Sequence, residues 1–402
     1  MIPSRNAVII TALRTPVGKY GGVLRDARPD DLSALIMKAL VDNTGIDPSL
    51  IDDILWGCAN QAGEDNRNVG RMASLLAGLP HSVPANTMNR LCGSSLDAII
   101  QAARAIWCGD ADIIVAGGVE SMSRAPYSVS KNQSGSYGNL TAFDTALGWR
   151  YPNPRMESLF PLESMGETAE NVAEKYRITR REQDAFALAS HQKAVDAQSN
   201  GRFRDEIVPV DIPGKKGKGT VVDRDEGPRP DTSLEKLASL PAVFRKGGSV
   251  TAGNSSSLND GAAGILIMSE ESAHQLGLKP MARILSTGIA GVDPRYMGIG
   301  PVPATQKALH KAGLQLNDIE IVELNEAFAA QSLAVVRDLQ IPLTKLNPNG
   351  GAIALGQPLG CSGARIMTTL LHEMRRRGAR HGLATMCIGV GQGIAVTVEQ
   401  FG

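Results

Sequence analysis

The sequence predicts an α/β protein made of two similar halves with a long segment inserted between them. Short β-branched runs alternate with helical patterns, as at residues 7–12 and 29–42. This alternation is typical of βαβ units and predicts a mostly parallel sheet covered by helices. A chain of 402 residues is too long for one ordinary core. The third observation is that a series of features in the first half recurs, in the same order, near the end of the chain.

The remaining elements of the first half follow from the same patterns. Residues 51–57 predict a strand, and residues 96–106 predict a helix with an apolar face. Residues 111–116 predict a buried strand that ends at Gly117 and Gly118. Together these elements form the βαβ unit on which the first half is built.

The internal repeat is visible in two places. The pattern KAL, a glycine and LIDDIL at residues 38–55 is matched by KAL, a glycine and LNDIEI at residues 307–321. LCGSSLDAI from Leu91 is matched by GCSGARIM from Gly360, and each precedes a helix and a glycine-closed strand. Any two α/β segments share some pattern, but here several features recur in one order. The repeat predicts a pseudo-dyad, with a site built from both halves.

The repeat also predicts the domain boundaries. Residues 1–120 and 249–275 form the first half, and residues 276–402 form the second. Residues 121–248 break the pattern with Gly-, Ser- and Pro-containing loops, a helix at 182–198 and a charged stretch. Long insertions of this kind tend to carry binding or assembly roles, so we expect a loop domain there.

The bulk composition excludes several classes of protein. Lys plus Arg equals Asp plus Glu at 41 each, so no overall field favours nucleic acid or an anionic membrane. The 5 cysteines form no disulfide framework, and no CxxC pair indicates zinc. No apolar run is long enough for a signal peptide or a membrane span. We therefore expect a reduced, cytoplasmic protein that binds no metal.

Cys92 is the first candidate for chemistry. It lies in NRLCGSS immediately before a predicted helix, where unpaired N–H groups are expected to stabilise a thiolate. Gly93 gives the backbone freedom to turn and leaves space for a substrate. The alternative is a small buried apolar residue, which is the usual fate of a free cysteine.

The second half supplies three further candidates. Residues 347–360 are rich in turn formers yet apolar between them, which suits a loop packed into an active site. Cys387 lies in MCIGVG, whose glycines free backbone N–H groups to face a developing oxyanion. Asn325 follows the predicted strand at 319–324, at the carboxyl end where α/β sites form. Its alternative role is to cap the next helix.

Together these segments resemble the thiolase family along essentially the whole chain. The motifs that carry the resemblance are ALRTPVGKYGG, GCANQAGEDNRNVGRMA, GGVESMS, TAGNSSSLNDGAA, NEAFA and ATMCIGVGQGIA. The sequence looks closest to the degradative 3-oxoadipyl-CoA and 3-ketoacyl-CoA thiolases of aromatic degradation and fatty-acid β-oxidation. The resemblance implies the thiolase fold, with layers α-β-α-β-α, and reversible acyl transfer between CoA thioesters. It also implies a homodimer or homotetramer, with residues 125–145 joining two dimers.

The resemblance assigns roles to five catalytic positions. Cys92 is the acylated nucleophile, and Cys387 is the acid and base at the α-carbon. Asn325 holds a water in one oxyanion hole, the N–H groups of Cys92 and Gly389 form the other, and Gln357 stands where the family has histidine.

For coenzyme A, which enters as a substrate and not as a cofactor, it implies six binding positions: Arg229 near the nucleotide phosphates, Phe244, Ala327 and Phe328 along the adenine–pantetheine path, and Ser256 with Met165 along the pantetheine arm.

Gln357 is the one departure from the family motif, which reads GHP where this chain has GQP. The family histidine takes the proton of the nucleophilic thiol. A glutamine amide can donate a hydrogen bond, but it cannot accept and release a proton near neutral pH. None of the 6 histidines lies in a Gly-rich loop that would replace it. The sequence therefore leaves three alternatives: a working thiolase slowed by Gln357, an impaired form that binds CoA thioesters with little turnover, and a non-enzymatic scaffold.

Overall fold

The computed structural model describes residues 5–131, 139–146, 148–214 and 219–401. The described strands are β1 (Ala7–Arg14), β2 (Gly18–Lys19), β3 (Asp53–Gly57), β4 (Asn86–Met88), β5 (Ile113–Ser121), β6 (Tyr127–Val129), β7 (Ala142–Asp144), β8 (Val210–Ile212), β9 (Thr220–Val222), β10 (Asn259–Ser269), β11 (Ala282–Gly291), β12 (Ile321–Leu324), β13 (His381–Ile388) and β14 (Gln392–Gln400). The described α-helices are α1 (Pro29–Thr44), α2 (Val69–Leu76), α3 (Ser94–Cys108), α4 (Pro154–Leu159), α5 (Met165–Tyr176), α6 (Arg180–Ser199), α7 (Leu234–Ala238), α8 (Glu270–Gln275), α9 (Pro301–Ala312), α10 (Ala329–Leu339), α11 (Ala352–Leu355) and α12 (Ser362–Arg377).

The order of strands in the main sheet confirms the two repeated halves. The order is β12-β13-β14-β11-β1-β10-β5-β3-β4, with β2 paired to β10. Outwards from the central β11–β1 pair, the strands β14, β13 and β12 on one side match β10, β5 and β3 on the other. The halves are therefore related by a pseudo-dyad that passes between β1 and β11.

The apolar side chains divide among three main cores, which gives five layers. Alternate residues of β5 face opposite sides, because successive side chains of a strand point to opposite faces. Ile114 joins the central core, which α3 and α12 fill between the two halves of the sheet. Ile113 joins the outer core beneath α1. A third core lies between α9 and the second half of the sheet. The α-β-α-β-α layering is thus confirmed.

The prediction of a mostly parallel sheet is wrong. Only the pairs β3–β4, β3–β5 and β12–β13 are parallel among the described strands of the main sheet. A helical crossover returns the chain in the same direction, so α3 and α12 each produce one parallel pair. The long insertion between β5 and β10, and the tight turn between β13 and β14, instead return the chain antiparallel.

The glycines of β5 mark a close contact and not the end of the strand. β5 continues through them to Ser121. A Cβ at Gly117 would lie 2.3 Å from the carbonyl oxygen of Ala263 on β10 and 2.5 Å from the ring of Trp56. Glycine is needed there because no side chain fits between the strand and its neighbours.

The segment between β5 and β10 contains two small two-stranded sheets and the helices α4 to α7. A fully buried ion pair fastens it to the first half, because Arg14 at the end of β1 binds Glu206 at 2.6 Å and Asp225 at 2.7 Å. Residues 132–138, which belong to the predicted dimer-joining loop, lie outside the described residues. None of the helices described is both long and apolar enough to cross a bilayer.

Candidate active site

Cys92 lies in a tight loop between β4 and α3. Leu91 adopts a left-handed conformation at φ 48°, which is uncommon for a residue with a side chain. The loop is held by Ser94 Oγ, which donates to the Leu91 carbonyl at 2.6 Å, and by Asn89 Oδ1, which accepts from the Leu91 N–H at 2.8 Å. A Cβ at Gly93 would lie 2.5 Å from the side chain of Ile388, so glycine is required beside the thiol.

The Cys92 thiol contacts the second half of the chain directly. The backbone N–H groups of Gly389 and of Cys92 itself lie near the sulfur and favour the thiolate. Removal from water is the larger influence, and it raises the pKa of Cys92 above its ordinary value. The expectation that the helix terminus holds this sulfur as an anion is therefore wrong in its net direction, because burial outweighs the N–H donors.

Cys387 lies beside Cys92 at the end of β13. It is buried, and it packs with Ala327, Phe328 and the partly buried Met165 in one apolar cluster. Burial raises the pKa of Cys387 far above its ordinary value, and a negative charge on Cys92 raises it further. Two neighbouring thiols with raised pKa values can exchange a proton with carbon or sulfur, but they do not both ionise.

Asn325 follows β12 and is fully buried. Its backbone N–H donates to the Thr385 carbonyl at 3.0 Å, which places it level with the end of β13. Its side-chain oxygen and nitrogen have no hydrogen-bond partner among the described residues. The alternative of a helix cap is wrong, because α10 begins at Ala329 with Phe328 as its cap residue. An unpartnered buried amide is instead available to bind water or a substrate oxygen.

Gln357 is held at both its backbone and its side chain. Its N–H donates to Asn259 Oδ1 at 2.8 Å, and its Oε1 accepts from Ser256 Oγ at 2.9 Å. Because the oxygen is engaged by Ser256, the Nε2 donor is the amide atom left to face a ligand. No described histidine is hydrogen-bonded to Gln357, Cys92 or Cys387.

The remaining predicted ligand positions lie on one path away from the thiols. Ser256 N–H donates to the Ala327 carbonyl at 2.9 Å, and the rings of Phe328 and Phe244 meet edge to face at 6.2 Å. Arg229 lines a cavity of about 250 Å³ together with Lys19 and His191. Ser255 and Ser257, on either side of Ser256, line the same cavity, so it adjoins the predicted path.

Two buried residues that position this site were not assigned a role from the sequence. Asn259 fixes the Gln357 backbone and donates to the Gly18 carbonyl at 2.9 Å. Glu120 accepts N–H bonds from Ala59, Asn60 and Gly360. Burial raises the pKa of Glu120 to about 7, although these three donors lower it. Both lie in recognisable motifs, TAGNSSSLND and GGVES, but neither motif reveals which side chain anchors a loop.

Glu120 also belongs to a buried cluster with Cys58 and Asp65, whose ligand atoms lie within 4.8 Å of one another. The acid oxygens are already engaged: Asp65 accepts from the N–H groups of Gln61 and Gly63, at 3.2 and 2.9 Å. The cluster therefore serves to fix the loop after β3.

The site defines a class of enzyme. It combines a partly exposed thiol on one half, a buried thiol and an amide on the other, and N–H donors where the halves meet. The class is that of cysteine-dependent acyltransferases, in which one sulfur carries the acyl group. The chain belongs to the thiolase family, since residues 7–271 match the thiolase N-terminal domain and residues 278–400 match the thiolase C-terminal domain.

Individual relatives agree with this assignment. The chain is 55% identical to the 3-oxoadipyl-CoA/3-oxo-5,6-dehydrosuberyl-CoA thiolase of Escherichia coli strain K12, over 98% of this chain and 100% of the relative. It is 54% identical to a beta-ketoadipyl-CoA thiolase of Pseudomonas aeruginosa, over 99% and 100%. The crystal structure of human mitochondrial 3-ketoacyl-CoA thiolase superposes with a TM-score of 0.93 at 42% identity, covering 99% of both chains. The chain is thus a thiolase, an acyl-CoA:acetyl-CoA C-acyltransferase.

The raised pKa of Cys92 predicts how its alkylation depends on pH. Only the thiolate reacts with iodoacetamide, so the rate should rise about tenfold per pH unit through neutral pH and level off only above the ordinary value. Mass spectrometry of the Cys92 peptide measures this rate, with exposed Cys108 alkylated in the same sample as an internal control. A plateau already reached below pH 7 would show a stabilised thiolate and contradict the burial argument.

Proposed function

We propose that this thiolase cleaves 3-oxoacyl-CoA esters that carry a second carboxylate, of the 3-oxoadipyl-CoA kind, with CoA to give acetyl-CoA and a shortened acyl-CoA. The observation that carries the chemistry is that the Gly389 N–H favours charge on the Cys92 thiol, while Cys387 is near enough for that charge to raise its own pKa. The printed names of relatives at 54–55% identity support the substrate class.

The proposed reaction proceeds in two halves. Cys92 thiolate attacks the 3-keto carbon, the C2–C3 bond breaks, and the acyl group stays on Cys92 as a thioester. The electron pair of that bond forms the enolate of acetyl-CoA, and Cys387 gives its proton to C2. The thiol of a second CoA then loses its proton to Cys387 and attacks the acyl-cysteine, which releases acyl-CoA and Cys92 thiolate.

Two oxyanions form along this path, and two sets of donors are proposed to meet them. The N–H groups of Cys92 and Gly389, which favour charge on the sulfur, are proposed for the tetrahedral alkoxide that forms on the carbon bonded to it. Asn325, with its unpartnered amide, and Gln357 Nε2 are proposed for the thioester enolate. Neither role requires a metal or a prosthetic group.

Coenzyme A is proposed to lie along Met165, Phe244, Ala327 and Phe328, which form one apolar path to Cys387. The exposed Arg229 side chain supplies charge for the nucleotide phosphates. Ser256 has a double task, because its hydroxyl donates to Gln357 and its lone pairs can still accept from the pantetheine arm.

Gln357 changes how the cycle begins. Cys92 leaves each turnover as a thiolate, but its raised pKa means that it is reprotonated in the resting enzyme. Without a base at position 357, that proton passes to solvent, so the active fraction of enzyme depends on pH. The comparisons give no support to the impaired form. Because the chain belongs to a family of enzymes, they favour an enzyme over the non-enzymatic scaffold.

A homodimer is proposed through the free edge of the main sheet. Among the described strands, β4 ends the sheet and pairs with β3 alone. The adjacent helix α2 exposes Met72, Leu75 and Leu76 by 42, 46 and 57%. An unpaired edge beside an apolar helix is a self-complementary surface that a second copy covers by a two-fold axis. A tetramer through residues 125–145 also stays part of the proposal.

A cytoplasmic location is proposed as well. All 5 cysteines are free, and the chemistry needs two reduced thiols, which the cytoplasm maintains. Detection of the protein in the membrane or periplasmic fraction of its cells would contradict this.

Replacing Cys387 separates the two thiol roles. In Cys387→Ala, acetyl-CoA should still acetylate Cys92, because the nucleophile and its N–H donors remain. Thiolysis should fall roughly 10²- to 10⁴-fold, the usual contribution of a positioned acid or base. Intact-mass spectrometry follows acetylation, and loss of the 3-oxoacyl-CoA absorbance follows thiolysis. Cys92→Ala is the control that should abolish both. Thiolysis unchanged in Cys387→Ala would overturn the assigned role.

Replacing Gln357 with histidine restores a base beside Cys92. Gln357→His should raise kcat/KM at pH 7 by roughly 10²-fold, and the gain should shrink as pH approaches the pKa of the thiol. Gln357→Met, which removes the amide and adds no base, should lower the rate at every pH. A pH–rate profile of the three proteins checks this. Equal rates for the native protein and Gln357→His across the profile would show that proton removal from Cys92 is not limiting.

The dimer interface can be tested on α2. Leu76→Glu places a charge in the proposed contact and should halve the mass measured by light scattering or shift it toward that of one chain. Leu343→Glu is the matched control, because Leu343 is exposed to 56%, against 57% for Leu76, and lies elsewhere on the surface. Equal masses for both variants and the native protein would place the interface elsewhere.

A further inference from the structure

Among the described residues, Arg150 has no acidic partner, whereas Arg90, Arg124 and Arg295 each face a carboxylate. Arg90 binds Asp97 at 3.0 Å, Arg124 binds Glu64 at 2.5 Å, and Arg295 faces Glu163 at 3.7 Å. Arg150 is different. It donates to two backbone carbonyls, those of Thr145 at 2.6 Å and Asn60 at 3.2 Å, and it has no ion-pair partner within 4.0 Å in the described chain.

One side of Arg150 leads to the nucleophile loop through hydrogen bonds. Arg150 donates to Asn60, and the carbonyl of the preceding residue, Ala59, accepts from Asn89 Nδ2 at 2.8 Å. Asn89 Oδ1 in turn accepts the N–H of Leu91, the residue before Cys92. Arg150 is thus connected to the loop that carries the nucleophile through a short series of rigid contacts.

The neighbouring residue, Trp149, connects the same segment to the chain near the oxyanion donor Gly389. Trp149 Nε1 donates to the Glu163 carbonyl at 3.1 Å, two residues before Met165. Met165 Sδ lies 3.5 Å from the position of a Cβ on Gly389, the residue whose N–H reaches Cys92. The segment that carries Arg150 is therefore hydrogen-bonded both to the loop that supports the nucleophile and to the chain just before Met165.

The local contacts orient the guanidinium without cancelling its charge. Carbonyl oxygens fix the plane of the group, and Asn60 Nδ2 donates to Thr145 Oγ1 at 3.2 Å, which ties the two acceptor residues together. Arg150 is half-buried, so its charge is screened less than that of an exposed arginine. An oriented, unpaired guanidinium is the group best suited to a carboxylate, which it binds through two parallel N–H bonds.

Resting on the proposed function, we infer that Arg150 binds the terminal carboxylate of the 3-oxoacyl chain and thereby selects dicarboxylic over monocarboxylic substrates. The carboxylate replaces water at the free N–H groups of Arg150, while the 3-keto carbon lies over Cys92. An uncharged chain end leaves the guanidinium hydrated and gains nothing from it.

The test compares thiolysis of 3-oxoadipyl-CoA with that of 3-oxohexanoyl-CoA, which has the same chain length without the carboxylate. In Arg150→Gln, kcat/KM for 3-oxoadipyl-CoA should fall about 100-fold, mostly through KM, because a charge-assisted contact is lost. The value for 3-oxohexanoyl-CoA should change less than about threefold. Arg150→Lys should keep part of the preference, because it keeps the charge but loses the planar fork. Arg295→Gln, with an arginine already paired to Glu163, is the control and should leave the ratio unchanged.

The outcomes distinguish this inference from the proposed function. If the native protein shows no preference for 3-oxoadipyl-CoA, the proposed substrate class fails. If it shows the preference and Arg150→Gln and Arg150→Lys both keep it in full, the role of Arg150 fails alone. Equal losses on both substrates in Arg150→Gln and Arg150→Lys would show that the residue only supports the loop, and would also overturn the inference.

Discussion

The two halves of the protein approach one another closely where α3 and α12 begin, and this approach holds the active site together. A Cβ at Gly363 would lie 2.3 Å from the backbone nitrogen of Leu96, and one at Gly118 would lie 2.3 Å from the carbonyl of Gly360. Ser95 Oγ accepts the N–H of Ala364 at 2.8 Å across the same junction. Because Cys92 precedes α3 and the loop of Gln357 precedes α12, contact between the helix starts brings nucleophile and loop together.

The same junction explains the electrostatics of the site. Burial raises the pKa values of both thiols, while the N–H groups of Gly389 and of Cys92 itself favour charge on the partly exposed Cys92. A negative charge on Cys92 also raises the pKa of Cys387, so the two thiols do not both ionise. A histidine at position 357 would add a proton acceptor to this arrangement. Gln357, fixed by Ser256 and Asn259, adds only a donor.

Much of this arrangement was predictable from sequence, because periodicity and order report on layers and topology. The two halves, the insertion and the positions of Cys92 and Cys387 all follow from repeated local patterns. The direction of the strands around β10 was not predictable, because it depends on how the insertion returns the chain. The pKa of Cys92 was not predictable either. A helix start is visible in sequence, but the burial that outweighs it depends on how the second half packs against the loop, as where Ile388 lies against Gly93. The bond of Ser256 to Gln357 likewise depends on which way a side chain points.

Glu120 holds the loops of the active site in fixed positions relative to one another. Its carboxylate holds Ala59 and Asn60 on one side and Gly360 on the other, so it joins the loop after β3 to the loop of Gln357. Ala59 supports Asn89 beside the nucleophile, and Asn60 supports Arg150. One buried side chain thus sets the relative positions of the thiol, the amide at 357 and the free guanidinium. Burial opposes ionisation of Glu120 while three N–H donors favour it, so the anchor retains hydrogen-bond acceptors in either protonation state. Backbone contacts therefore fix the nucleophile loop relative to Arg150, which is the condition that the inferred selection of a chain by its length and terminal charge requires.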